Sequence, residues 1–359
     1  MILLRVLMYI GLVIGGLIAA YAVYMLIVAV VPGFSVPKQP LKRSRQSGRP
    51  SQQGGKKRSG TRKDISFEIK GVPINGWLYL PVDLSAPVPC IVMAHGLGAT
   101  KTMGLDAYAV RFQNAGFAVL AFDYRHLGES GGEPRQLVWI PYQQEDYTAA
   151  IRYVRGLREI DPARIALWGT SLSGGHVVVT AARDPGIACV SAQVPLLDGE
   201  AGGMALVKKV GLGHILRMSF GHALRDLVRS WLGLSPHKIP LVGKEGTVAV
   251  MADAGAWDIF EALAPDGFIN EACARILIRM DKYKPLKYLD PVSCPVLLQF
   301  CDQDIANPPN LVEGAEKRLG NRAEIIRYPI DHFDIYLGSN FERAVKDQLE
   351  FFKKHLYRS

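Results

Sequence analysis

Arg164-Ile-Ala-Leu-Trp-Gly-Thr-Ser171-Leu-Ser-Gly-Gly-His-Val-Val-Val-Thr-Ala-Ala182 decides the fold of this 359-residue chain. Ile165–Trp168 is a short apolar run of the kind that forms a buried strand. Gly174 and Gly175 let a helix lie close to a sheet, and Val177–Ala182 carry that helix onward. Ser171 stands at the apex of a tight strand-to-helix turn, which would raise its hydroxyl above the sheet. The N–H of Leu172, at the start of the helix, points to where an acyl oxyanion would form. The usual pattern for such a turn is Gly-x-Ser-x-Gly, and here Ser173 replaces the last Gly. A full match exists at Gly128-Glu-Ser130-Gly-Gly132, but Glu133-Pro134 follows where a helix should begin. Proline keeps the preceding residue extended, so that stretch reads as a loop. Ser173 is a weaker candidate nucleophile, one step too far from the strand.

Working outward, apolar runs recur at Cys90–Ala94, Ala118–Phe122, Ala188–Val194 and Pro295–Phe300. Helical stretches separate them: Met103–Ala115, Tyr142–Arg155, Leu172–Arg183, and later Asn310–Leu319 and Phe341–Leu356. This alternation predicts an α/β fold, a mostly parallel sheet with helices on both faces. Ile65, Phe67 and Ile69 alternate with polar residues, as do Ile74, Trp77 and Tyr79, so an antiparallel pair should open the domain. An insertion of about 90 residues, positions 199–291, breaks the rhythm and is expected to form a helical cap near the site, since it leaves the carboxyl edge of the sheet. Within it Leu216, Phe220, Leu224, Leu227 and Trp231 recur at helical spacing and read as a face packed on the core.

The amino-terminal region has a different character. Val6–Val31 carries no charge and spans roughly 39 Å as a helix, enough for a bilayer. It exceeds the roughly 7–15 apolar residues of a signal peptide, so a retained transmembrane anchor over 1–34 is expected. Gly11, Gly15 and Ala19 are a weak sign of helix pairing. Residues 35–63 read as a basic, disordered linker. Ten Lys and Arg residues between Lys38 and Lys63 exceed the whole-chain net charge of +9, so the remainder is near neutral. The tract suits anionic lipid head groups. It has no aromatic residue for base stacking, which argues against a specific nucleic-acid partner. Only Arg5 precedes the span, which predicts a single-pass membrane protein with residues 64–359 on the cytoplasmic side. The five cysteines, Cys90, Cys189, Cys273, Cys294 and Cys301, have no paired spacing and read as buried reduced thiols. No metal or cofactor motif appears, so no cofactor is expected.

A serine hydroxyl needs a base, and the base an orienting carboxylate. His332, in Pro329-Ile-Asp-His-Phe-Asp, follows the last strand-like run, Glu324–Tyr328, and is the best base. His95, His126 and His176 lie nearer Ser171 in sequence. They read instead as a turn residue, a loop residue at the pocket rim, and a packing or surface residue. Asp304, after the Pro295–Phe300 run, is the chosen carboxylate, with Asp302 as runner-up and more plausibly a turn cap. Asp331 and Asp334 read as local partners. The order Ser171, Asp304, His332 is that of one hydrolase architecture. Leu97, in the turn His95-Gly-Leu-Gly98, would supply the second oxyanion N–H.

These segments, with Asp123-Tyr-Arg-His-Leu-Gly-Glu-Ser-Gly-Gly132, resemble the α/β-hydrolase superfamily from about Asp64 to the C-terminus. Within it the chain is similar to the bacterial dienelactone-hydrolase-like and acyl-peptidase-like esterase branch. The resemblance implies a serine hydrolase acting on ester or thioester bonds of a small-molecule or lipid-like acyl substrate. A peptidase or amidase of the same fold, and a non-catalytic membrane scaffold, are the other expectations. Ser173 for Gly, and His126 where relatives often carry Gly, depart from the family pattern.

Overall fold

The computed structural model describes residues 2–30, 36–39, 41, 60–305 and 309–357. Eight strands form the central sheet: β1 (Gly60–Ile69), β2 (Val72–Pro81), β3 (Val88–Ala94), β4 (Ala118–Phe122), β5 (Ile160–Thr170), β6 (Ile187–Gln193), β7 (Val296–Cys301) and β8 (Ala323–Tyr328). Their order across the sheet is β1-β2-β4-β3-β5-β6-β7-β8. β1, β2 and β4 pair antiparallel in turn, and every other pairing is parallel. The predicted alternation of strand and helix therefore produces the predicted sheet.

The middle strands are apolar on both faces because both faces are covered. Cys90, Val92, Leu120, Phe122, Ile165 and Leu167 join one core, with residues of α3 (Ile140–Arg155) and α4 (Leu172–Arg183). Ile91, Met93, Val119, Ala121 and Trp168 face the other, under α2 (Leu105–Asn114) and α10 (Gly338–Leu356). α9 (Pro309–Leu319) packs beside β8. All five cysteines are buried and free, as expected.

Two expectations about the flanks need correction. The sheet begins at Gly60, not Asp64, so Gly60–Lys63 is strand and not linker. Pairing with β2 accounts for this: Gly60 lies opposite Pro81, and a Cβ there would meet the Leu80 carbonyl at 2.3 Å. Charged Arg62 and Lys63 suit an edge strand, and Arg62 lies 4.6 Å over the Trp77 ring. Nor is the described part of 35–63 a free linker. Val36 and Leu41 pack against the core, and Asn270 donates to the Gln39 carbonyl at 2.8 Å. The remaining residues of the basic tract lie outside the described residues.

The insertion holds α5 (Gly199–Val210), α6 (Leu212–Leu216), a π-helical turn (Arg217–Ala223), α7 (Leu224–Trp231) and α8 (Ala254–Leu263). The Leu216–Trp231 stripe is buried only in part, at half-buried Leu224 and Leu227. Leu216, Phe220 and Trp231 are exposed, and Met218, Ala223, Arg225, Asp226 and Val228 are buried instead. The π turn adds residues to the repeat and so rotates the face that the spacing describes. Buried Asp226 holds the new face inward, accepting from the Arg275 side chain at 2.6 Å and the His237 N–H at 2.7 Å.

α1 (Ile2–Val30) contains one span, Arg5–Ile27, of mean hydropathy 2.3. By length and composition it suits a signal sequence or a single membrane anchor.

Candidate active site

Three strands present the predicted residues at their carboxyl edge: Ser171 after β5, Asp304 after β7 and His332 after β8. The Ser171 turn is strained. Its backbone sits at φ 55°, ψ −121°, a region that L residues rarely occupy. Neighbouring backbone holds it there: Ser171 N–H donates to Gln193 O at 2.9 Å, and Leu196 N–H donates to Ser171 O at 2.9 Å. Close approach requires Gly169, where a Cβ would stand 2.3 Å from the Ser173 carbonyl.

Ser173 is not a rival nucleophile. It is fully buried, and its hydroxyl hydrogen-bonds with Tyr124 at 2.9 Å and Tyr147 at 2.7 Å. Tyr147 in turn bonds the carbonyl of Trp168, in the strand leading to the turn. The departure from Gly-x-Ser-x-Gly thus adds a polar clamp behind the turn. Ser173→Ala is expected to destabilise the fold by about 1–3 kcal/mol, because two buried phenols lose a partner. Urea unfolding of the two forms would measure it. Ser130 sits in a loop, as expected, its buried hydroxyl donating to Asp123 O at 2.6 Å.

His332 Nδ1 lies 2.6 Å from Asp304 Oδ2. Asp304 is buried and His332 nearly so. Burial opposes a charged imidazole, but the Asp304 carboxylate beside it, with Asp331 and Asp253 further off, outweighs that and raises the His332 pKa above its ordinary value. Asp331 and Asp334 act locally: Asp331 accepts from the His332 N–H, and Asp334 from the Asp331 N–H. Asp302 is exposed and pairs with Arg327 at 2.7 Å instead of capping the turn with its side chain.

Ser171 and His332 line one pocket, together with His95, Gly96 and Leu97. A Cβ on Gly96 would lie 3.2 Å from Ser171 Cβ, so the Leu97 turn runs directly beside the serine. Leu172 begins α4. The pocket extends away from Ser171 over Met103, Leu105, Tyr108, Trp168 and Phe341, and is roofed by Met251, Ile259, Phe260 and Leu263 of the insertion. The insertion therefore contributes part of the lining. The space is narrow, about 70 Å³, and predominantly apolar.

Two other histidines have structural accounts. His126 is buried against Tyr142, with ring centroids 5.7 Å apart, and does not line this pocket, which corrects its placement at the rim. His176 is buried in α4 and bonds Tyr283 OH at 2.7 Å and Gln143 Oε1 at 2.9 Å. Sequence reasoning missed the support under the Leu97 turn. Buried Asp123 accepts from the Lys101 backbone N–H at 2.6 Å and from Lys101 Nζ at 2.8 Å, 3.8 Å from His95 Nε2. Its only sequence signal is an acid within a glycine-rich loop.

The sheet order and the strand-turn-helix at Ser171 define an α/β-hydrolase. Comparison with known proteins agrees. The model of the family described as X-Pro dipeptidyl-peptidase (S15 family) matches residues 70–214. The quorum-quenching protein AidA of Acinetobacter baumannii is 41% identical over 293 residues, 81% of this chain and 94% of that protein. The thiohydrolase apmlB of Arthrinium phaeospermum is 34% identical over 82% of this chain and 98% of its own length. The crystal structure of the α/β-hydrolase GrgF from Penicillium sp. sh18 superposes with a TM-score of 0.68 at 24% identity, covering 83% of this chain and all of that one. The chain belongs to the α/β-hydrolase superfamily, in the family of AidA. It is a serine hydrolase.

Proposed function

We propose that this protein is a membrane-anchored esterase or thioesterase, in which Ser171 is the nucleophile, His332 the base and Asp304 its orienting carboxylate. The observation that carries the reading is the 2.6 Å His332–Asp304 contact in a pocket that also exposes Ser171 at a strained turn. Ser171 Oγ attacks the acyl carbon while His332 Nε2 takes its proton. The N–H groups of Leu97 and Leu172 receive the oxyanion. His332 then returns the proton to the leaving oxygen or sulfur, and the acyl group stays on Ser171. Water, deprotonated by His332, releases the acid and restores the serine. Asp304 keeps the Nδ1 proton in place, so that Nε2 is free to act as base.

The apolar lining supports an acyl group as the bound moiety, and the thiohydrolase relative supports thioesters beside esters. A peptidase reading is less favoured, because among the described lining residues there is no carboxylate to hold a substrate amine. The narrow pocket should favour short acyl chains. With p-nitrophenyl esters and the full chain in detergent, kcat/KM is expected to fall at least about tenfold from butyrate to palmitate, a difference of roughly 1.4 kcal/mol. Leu263→Ala should move the preference to longer chains by opening the roof. A flat profile in both forms would contradict the assignment of this pocket.

The anchor reading rests on the uncharged length of α1 and on the absence of acidic residues between Lys38 and Lys63. The same charge bias puts the hydrolase body on the cytoplasmic side, with residues 42–58 suited to anionic head groups. Alkaline carbonate extraction of membranes, followed by intact-mass measurement, tests it. A membrane-retained chain that keeps Arg5–Ile27 supports the anchor. A released chain lacking them contradicts it.

A further inference from the structure

The exposed part of the apolar stripe raises the question of what it meets. Leu212, Leu216, Phe220 and Trp231 all point outward along α6, the π turn and α7, with Phe220 53% and Trp231 66% exposed. Exposed Arg217 stands beside Leu216 in the sequence of this face, and exposed Lys208 and Lys209 end α5 just before it. Large contiguous apolar surface on a soluble body marks an interaction site. Aromatic and aliphatic residues mixed with basic ones suit the boundary of an anionic bilayer.

α1 meets the body beside this face. It packs against α7, and Tyr24 OH donates to the Phe220 carbonyl at 2.8 Å. Among its described side chains only Met25 is half-buried, and all others from Arg5 to Ile27 are exposed. The helix therefore leaves the body at its carboxyl-terminal end, and a bilayer around it would begin next to Phe220. A second cleft of about 530 Å³ borders these helices, lined by Met204 and Leu206 of α5, Ile215 of α6 and Met218 of the π turn. Met251 lines both this cleft and the Ser171 pocket.

We infer that the outer face of α6, the π turn and α7 docks on the bilayer that holds α1, and that amphiphilic esters enter the cleft from that bilayer. The inference rests on the anchored-esterase reading. Burying the stripe in lipid removes apolar surface from water, and the basic residues meet lipid phosphate. An ester that stays in the membrane then has a short apolar route to Met251 and the serine beyond.

The test uses the full chain reconstituted in nanodiscs of phosphatidylcholine and phosphatidylglycerol. The native cysteines are buried, so single introduced cysteines can be labelled. A polarity-sensitive fluorophore at Trp231→Cys is compared with one at Ser85→Cys, an exposed site just before the amino end of β3, at the sheet edge opposite Ser171. Iodide quenching should be several-fold weaker at 231 than at 85, because a residue buried at the headgroup boundary is shielded from the aqueous ion. Equal quenching would overturn the docking surface. The double variant Phe220→Asp, Trp231→Asp should slow hydrolysis of a nanodisc-embedded butyrate ester of a long-chain alcohol about tenfold and leave p-nitrophenyl butyrate unchanged. Equal loss on both substrates, or no loss on either, would overturn the entry route. Failure of the underlying reading looks different: a chain that loses Arg5–Ile27 does not assemble into nanodiscs, and a non-esterase turns over neither substrate.

Discussion

Ser171→Ala is expected to lower kcat by ~10⁴-fold or more, since removing a nucleophile leaves only the residual catalysis of oxyanion donors and binding. Ester hydrolysis by the full chain in detergent, at matched folded fraction, measures it. The same position offers an independent readout. Ser171 holds a positive φ that a glycine adopts freely. Ser171→Gly should therefore be equally inactive yet more stable, by about 1–3 kcal/mol, because the strain is relieved. Ser171→Ala keeps its Cβ and should show no such gain. Activity surviving in either variant would remove Ser171 from the mechanism.

Asp304→Asn should cost ~10⁴-fold in kcat, because an amide no longer favours the Nδ1-protonated tautomer that frees Nε2. It should also move the pH profile. A base must be neutral to accept a proton, so activity appears as pH rises through the His332 pKa. Asp304 is the main influence that raises that pKa against the opposing effect of burial. The acid limb of kcat/KM in the wild type should accordingly lie above the ordinary histidine value of about 6.5. In Asp304→Asn the residual activity should show that limb shifted to lower pH, with burial left as the larger influence. A limb that stays in place would mean that the 2.6 Å contact does not govern the titration of the base.

The particular segments show why some of this was legible in the sequence and some was not. Runs such as Ala118–Phe122 and Leu172–Arg183 coincide with β4 and α4 because buried strands and amphipathic helices impose local periodicities. The meeting of Asp304 and His332 is legible because each follows a strand, and strand ends at one sheet edge converge. The role of Ser173 was not legible, since Tyr124 and Tyr147, which bond it, come from distant segments. The same holds for the pocket roof, where Met251, Phe260 and Leu263 reach the site only through the path of the insertion. The Leu216–Trp231 stripe misled because helical spacing assumes an unbroken α-helix, and the π turn at Arg217–Ala223 breaks it. The docked residues Val36 and Leu41 were hidden by a composition that reads as solvated tract.

The central claim is that Ser171 is the activated nucleophile. A fluorophosphonate probe, followed by peptide mapping of the full chain, tests it most directly. The account predicts a single modified serine, Ser171, with labelling abolished in Ser171→Ala and slowed in His332→Ala. A label on Ser130 or Ser173, or a folded chain that hydrolyses esters while Ser171 stays unmodified, would contradict it.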